Sequence, residues 1–555
     1  MSPDVDADVL IVGAGPVGLM AAIDLSARGV TSIVIEQRAF LEPPSVKCNH
    51  VASRTMERFR MLGFADRVRR AGLPSDYPQD VAFRTSVTGR EFGRIEIPAS
   101  GVRGTTAARG LDTQWATPEG PQRINQTFLE PILADEAVQR SGVALHSRRV
   151  FRSLAQDDDG VTAVTVDGAG GDERALRGRY LIGADGGKSI VRKLIGASLS
   201  GDPVLQRVMS TLVRVDGLYE RMRAPEPRAW GYYTSNERRH GHVYAINGID
   251  EFLVHTFLTD AEAEEGSVDR DEAIRAILGL EADEAYEIVS KEDWVARRLI
   301  ADRFRDRRVF LAGDASHLWV PFAGFGMNAG IADVLNLTWL LGAVRRGWAD
   351  EGILDAYEAE RWPITDQVSR FAMEHQQKLE RPRLPAGLDD DGPAGAAVRE
   401  RYGAQMRALN EPQFVAAGLN FGYVYDASPI IAYDGVSAPD YSMGTYTPST
   451  VPGCRAPHFW LTDGTSVFDR LGIGYTLIAV SGTGHAALDD AFRAATVPLE
   501  TIEVDRDILP AEYSRSLTLV RQDQTVVWRA DEPPDDPRGL VGLLRGDGCV
   551  RPRRA

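Results

Sequence analysis

Three short clusters of glycine and acid hold the residues in this sequence best equipped for chemistry. Gly13, Gly15 and Gly18 form a GxGxxG within DVLIVGAGPVGLM. The first glycine makes a tight turn, the second lets backbone approach a pyrophosphate, and the third lets helix and strand pack closely. A helix that starts there aims its free N–H groups and the positive end of its dipole at phosphates. Glu36, at the end of TSIVIEQR, has the spacing of an acid that accepts hydrogen bonds from an adenosine ribose. Asp185 in GADGGKSIVR and Asp314 in VFLAGDASH each follow an apolar run, and Gly324, Gly326 and Gly330 come after the second. An acid at a strand end can hold the hydroxyls of a ribityl chain. A glycine-rich helix start can aim N–H groups at a flavin ring, where they favour its reduced, anionic form. Each acid alone is equally a helix cap; the three clusters together, in this order, point to a flavin dinucleotide.

The elements that must position these residues follow from the apolar pattern. DVLIV reads as a buried parallel strand, LMAAIDLSARG as a helix closed by Gly29, and TSIVIEQR as a second strand. Helical spacing runs from Ser53 to Arg70 and from Gln126 to Gln139, with strands near 143–150 and 161–166 and before GADGG. Short alternating strands fill 81–109 and 202–294, with a turn at Asn247–Gly248, and suggest a second sheet that covers a substrate. A long helix is expected from Met327 to Arg346. The stretch LERPRLPAGLDDDGPAG reads as a linker. Beyond Ser466 the order strand, helix, strand, hairpin, helix resembles a thioredoxin-like domain, and with no CxxC pair it is structural rather than redox-active.

Composition narrows the function classes. Asp plus Glu (79) exceed Lys plus Arg (63), which argues against a nucleic-acid partner. Cys48, Cys454 and Cys549 lie too far apart in sequence for a CxxC metal or redox motif, and a reducing cytoplasm fits them. The apolar stretch near the start follows Asp4, Asp6 and Asp8 rather than a basic segment, so it does not read as a signal peptide. No other stretch reads as long and apolar enough to span a membrane.

The three clusters, as worded and ordered here, resemble the GxGxxG, DG and GD motifs of the flavoprotein aromatic hydroxylases, the family of phenol, dichlorophenol, 4-hydroxybenzoate and polyketide hydroxylases. The resemblance covers about the first 375 residues, and the tail resembles that of the larger members. It implies an α/β fold with three parts. A Rossmann-like FAD-binding domain takes 1–80, 108–200 and 295–378. A β-sheet substrate domain takes 81–107 and 201–294. After a linker at 379–400, the C-terminal region 401–555 carries the thioredoxin-like domain. The resemblance further implies that Glu36 and Arg38 serve the adenosine ribose, Lys47 the pyrophosphate, and Gln126, with Arg123 three positions earlier, the FAD. Val150 would offer backbone to the adenine, Asp185 would serve both FAD and nicotinamide, and Asp314 would take the ribityl chain. Gly326, Met327 and Asn328 would approach the isoalloxazine.

The same resemblance implies an enzyme that uses FAD, NAD(P)H and O2 to hydroxylate a phenolic ring through a C4a-hydroperoxyflavin, working as a homodimer or larger homo-oligomer. Pro321 falls where a family proline turns its carbonyl towards the ring. Where phenol hydroxylase has an aspartate before SRTMER, this sequence has Asn49 and His50, which makes His50 the candidate base. Tyr232, Tyr233, Tyr244 and His255 lie on expected strands of the cover and are candidates to line the pocket, though each also suits core packing. His317 is expected to fix the GD loop. The rival chemistry is Baeyer–Villiger insertion or epoxidation on a polyketide-like substrate. A non-catalytic binding protein of the same fold is a remote alternative.

Overall fold

The computed structural model describes residues 5–47, 49–222, 227–262, 264, 266–319, 324–378 and 384–548. Its first layer is a sheet whose parallel strands run in the order Val309–Leu311, Glu173–Gly183, Ala7–Val12, Ser32–Ile35 and Val143–His146. Ala7–Val12 and Ser32–Ile35 are buried along their whole length, as strands covered by helices on both faces must be. The antiparallel strands Arg149–Gln156 and Val161–Asp167 join at Glu173–Gly183. Helix Pro16–Ala27 and helix Gly326–Arg345 pack together in this layer. The second of these corrects the membrane expectation in composition only. It is 20 residues long with a mean hydropathy of 1.2, but it is apolar because most of it lies inside the protein core. The helical run expected from Ser53 to Arg70 is broken into Ser53–Met61 and Ala65–Arg69, with Gly63 between them at φ +89°.

The second sheet runs from His317–Leu318 through Trp294–Ala301, Leu199–Arg214, Glu251–Leu258, Gly241–Ala245, Gly231–Thr234 and Val81–Arg84 to Glu91–Ile95. Register decides which face each side chain takes. Tyr232 pairs with Val243 and Val243 with Val254, on the face that helix Arg270–Leu278 covers through Ile277. Tyr233, His242 and His255 pair across the neighbouring positions and share the other face with Tyr244 and Leu253. Leu253, Leu212 and Ile246 on that side meet Val46 and Phe128 of the first layer.

The expected linker is corrected in its second half. Helix Gly392–Phe414 begins inside it, since a proline is tolerated in a first helical turn and AGAAVRERYGAQMRALN is rich in strong helix formers. This helix crosses strand Glu91–Ile95, sets Tyr402 against Phe92 with ring centres 5.2 Å apart, and buries Phe414 in the second sheet's core. It therefore packs with the second sheet rather than with the tail.

The third sheet, in the order Leu499–Val504, Tyr475–Val480, Leu517–Arg521 and Val526–Ala530, carries helices Ala486–Ala494 and Pro537–Leu544. Buried ion pairs tie it to the first layer. Arg521 holds Glu360 at 2.8 and 2.9 Å with neither side chain exposed, and Arg455 holds Glu57 at 2.6 Å. Arg361, beside Glu360, bonds Asp333 at 2.9 Å and donates to the hydroxyl of Tyr425 in the C-terminal region.

Candidate active site

The glycine-rich loop, the DG turn and the GD turn meet above the ends of the parallel strands. Gly13 sits at φ +104°, and a Cβ there would lie 2.4 Å from the Ala184 carbonyl oxygen, so the first loop rests directly on the DG turn. A Cβ on Gly18 would lie 2.0 Å from the Gly13 oxygen, and one on Gly330 would press on Val17 and Gly313. Gly15 and Gly326 are different: a Cβ on either would meet nothing within 4 Å. Each begins a helix with no side-chain cap, so backbone N–H groups face open space at both places. Two uncapped helix starts, on helices brought together at Val17, Gly313 and Gly330, fit the pyrophosphate and ring of a flavin dinucleotide.

The acids divide the work unequally. Glu36 accepts from the Ala14 N–H at 2.7 Å and the Arg38 N–H at 2.8 Å, and Arg38 also pairs with Glu130 at 2.7 Å. A small pocket lined by Ala14, Glu36, Arg38, Glu130 and Leu145 opens there. Gln126 donates to Glu130 at 2.9 Å, and Val150 lies on the strand whose first residue, Arg149, bonds the Glu36 carbonyl. Asp185 is engaged within its own turn. Its carboxylate accepts from Ser189 and from the Ile190 and Val191 N–H groups, so it shapes the DG turn by capping the next helix. Asp314 keeps its carboxylate without a hydrogen bond among the described residues. It is open at the surface yet ringed by protein, and burial pushes its carboxyl up, against the opposing charges of His317 and Lys47. That is the setting of an acid at the floor of a cleft.

Behind Asp314, His317 bonds Asp333 at 2.8 Å, and Asp333 also accepts from the Gly313 N–H, which fixes the GD loop from within. Lys47 is mostly exposed and pairs with Glu292 at 2.7 Å, across the cleft on the second sheet. Met327 is half-buried against the first core. Asn328 spends its side chain on structure: it accepts from Ala52 and Thr55 and donates to the carbonyls of His50 and Gly324. Pro321 lies outside the described residues.

Asn328 thereby seats His50 at the start of the long helix, and this overturns the expectation of a base. Nδ1 of His50 accepts from Arg123 at 2.6 Å, so in the neutral ring the proton is on Nε2, where it donates. Burial, with Arg123 and Arg103 nearby, holds the imidazole well below its ordinary range. Arg123 is likewise moved from the cofactor to the opposite wall. Its guanidinium donates to the Phe414 carbonyl at 3.1 Å and lies over the Trp230 ring, 4.6 Å from its centre. Asp112, the acid that acts on it among the described residues, is held by Arg103 at 2.9 Å. Burial lowers Arg123 to about 10.

The Tyr233 ring stands edge-on to Phe414, the Tyr244 ring tilts against Trp230, and the two tyrosine hydroxyls lie 3.2 Å apart. Burial raises both phenols, so they remain protonated donors. Tyr232 lies on the opposite face of the sheet from Tyr233 and Tyr244. Strand alternation turns it to the helix-covered face, where its hydroxyl accepts from the Ala229 N–H. His255 is on the pocket side with Nδ1 buried and unbonded, and burial lowers it to about 4. Trp230 and Phe414 were missed. Phe414 arrives at the end of a helix whose first turns read as linker and whose remainder was assigned to the C-terminal region, and no spacing in the sequence links it to Arg123.

Comparison with known proteins agrees with this geometry. Residues 6–372 match the family model described as FAD binding domain, and 449–546 match that described as aromatic-ring hydroxylase, C-terminal. The chain is 31% identical to phenol 2-monooxygenase of Pseudomonas sp. (strain EST1001), over 99% of this chain and 94% of the relative. It is also 31% identical to aklavinone 12-hydroxylase RdmE of Streptomyces purpurascens, over 98% and 99%. Among solved structures, chromopyrrolic acid-soaked RebC with bound 7-carboxy-K252c superposes with a TM-score of 0.88 at 33% identity, covering 98% of this chain and 100% of that one. The ternary complex of aklavinone-11 hydroxylase with FAD and aklavinone gives 0.80 at 28% identity, covering 98% and 99%.

Proposed function

This chain belongs to the FAD-dependent aromatic-ring monooxygenases, and from that premise we propose that it hydroxylates a phenolic ring held between the flavin cradle and the second sheet, with Arg123 stabilising the phenolate in place of a base. The observation that carries this reading is the burial of Arg123 with no carboxylate bonded to it among the described residues. Gly13, Gly15, Gly18, Glu36, Arg38, Asp314 and Gly326 would hold FAD. When bound it supplies electrons taken from NAD(P)H and activates O2.

The chain's own residues then ready the ring. A hydroxyl ortho to the attacked carbon directs the reaction best when ionised. A cation about 4 Å from it, at an effective dielectric near 20, is worth about 4 kcal/mol, or about three pK units. Burial works against this, as it does for Tyr233 and Tyr244, so Arg123 selects the ring in its ionised form, with the proton left in bulk water on binding. Tyr233 and Tyr244 orient further oxygens on the substrate, and Trp230 and Phe414 exclude water from the ring.

The experiment is NADH and NADPH oxidation in air-saturated buffer by the FAD-loaded protein, scanned over phenols, ketones and polycyclic quinones, with product masses. The expected result is a phenol that accelerates oxidation and gains one ring oxygen. Ester or lactone formation from a ketone, with phenols inert, would replace hydroxylation by Baeyer–Villiger chemistry.

A further inference from the structure

A cleft of about 480 Å3 is remote from this chemistry. It opens between the C-terminal ends of helices Pro16–Ala27 and Ser53–Met61 on one side and the Leu471–Ile473 and Gln522 loops of the C-terminal domain on the other. Helix Pro16–Ala27 has 12 residues, so its far end lies about 18 Å from the glycine-rich loop, at about 1.5 Å per residue. The cleft is therefore separate from the flavin cradle.

Its wall holds an unbalanced charge. Arg28 and Arg58, at 4% and 8% exposure, both bond the single carboxylate of Asp24, which is fully buried and also accepts from Thr338. Arg28 uses only Nε for this. Its two terminal nitrogens have no acceptor among the described residues, and Nη1 of Arg58 has only the Met61 sulfur at 3.7 Å. The third arginine, Arg60, is already matched by Asp469 and Glu119. Asp523, the other acid that acts on Arg28, is held by Arg521 at 2.7 Å, so Asp24 is the one carboxylate bonded to both guanidinium groups among the described residues, and their remaining nitrogens face the cleft. The helix ends oppose this charge, but a helix end is a weaker effect than an uncompensated buried ion. Their last carbonyls are also taken by the N–H groups of Arg28, Gly29, Leu62 and Gly63.

We infer that this cleft is a binding site for a small oxyanion, the phosphate or carboxylate group of a metabolite, seated on Arg28 and Arg58 between the flavin-binding layer and the C-terminal domain. A bidentate oxyanion would complete a two-to-two charge arrangement and give the guanidinium forks the planar acceptor they lack. Bound there, it would tie the two domains together.

The test is calorimetric titration of the FAD-loaded protein with inorganic phosphate and, separately, with citrate, at ionic strength held constant with sodium chloride. Melting is followed in parallel. Saturable one-to-one binding of either anion is expected, with a raised melting temperature, and the anion that binds identifies the source. Ile473→Trp fills the cleft from its half-buried wall without touching the arginines, and affinity is expected to fall at least about tenfold, or about 1.4 kcal/mol. Arg123→Met should leave this binding unchanged. No saturable binding of either anion, or equal binding by Ile473→Trp, would overturn the site.

Discussion

Arg521 and Arg123 are both large cations sealed inside the protein, and they differ in what surrounds them. Arg521 is held by the two oxygens of Glu360 and by Asp523, which raise it well above its ordinary range despite burial. Arg123 has a neutral imidazole, a backbone carbonyl and two aromatic faces, and burial pulls it down to about 10. A buried charge with its counter-ion is a fastening between domains. A buried charge without one is an unmet electrostatic demand, and it is held there by a fold that gains elsewhere.

The sharpest way to break the comparison is to delete each cation. Arg521→Met strands Glu360 and is expected to cost about 3–5 kcal/mol of stability, read as a lowered denaturation midpoint; Glu360→Gln added to it should recover much of the loss. Arg123→Met should leave the midpoint unchanged or raised, while kcat/KM for the phenol found by the oxidation scan falls by about 10²–10³. If both substitutions destabilise alike and spare turnover, the distinction fails.

A pH series sharpens it further. Arg123 carries its charge only below its lowered value, so the affinity for an aromatic carboxylate, ionised throughout, should hold from neutrality and fall as pH rises through about 10. In Arg123→Met that limb should vanish. The smallest effect concerns Asp24. Burial pushes its carboxyl up, but Arg28, Arg58 and Thr338 outweigh this and hold it at about 2. Its folded value lies below the ordinary 3.8, so its contribution is full above 3.8 and is lost as pH falls towards about 2. The contribution is on the order of 2 kcal/mol, and Asp24→Asn should flatten the acid limb of a urea midpoint-versus-pH curve.

Much of the flavin cradle was legible from residue order because backbone builds it. Gly13 and Gly18 are required by close contacts within a few positions or with a neighbouring motif, and such needs leave a local signature. The acids were harder to read. Asp185 and Asp314 look alike in sequence, yet one is consumed by the next helix and the other is left open to the cleft, a difference set by whether hydroxyl and N–H donors stand within reach. Tyr232 and Tyr233 are adjacent, and only the sheet register says which faces the pocket. The linker reading failed at Gly392 because glycine and proline mark a helix start as well as a loop.

The sequence by itself determined the class of cofactor, the parallel layer that carries it, and the family, since those rest on short-range patterns of glycine, acid and apolar residues. Only the tertiary structure decided the substrate side. Arg123, His50, Trp230 and Phe414 come from four separated segments, and what each does follows from its neighbours in space. A histidine is an acceptor or a donor, and an arginine a fastening or a site, according to partners that lie up to 291 residues away along the chain.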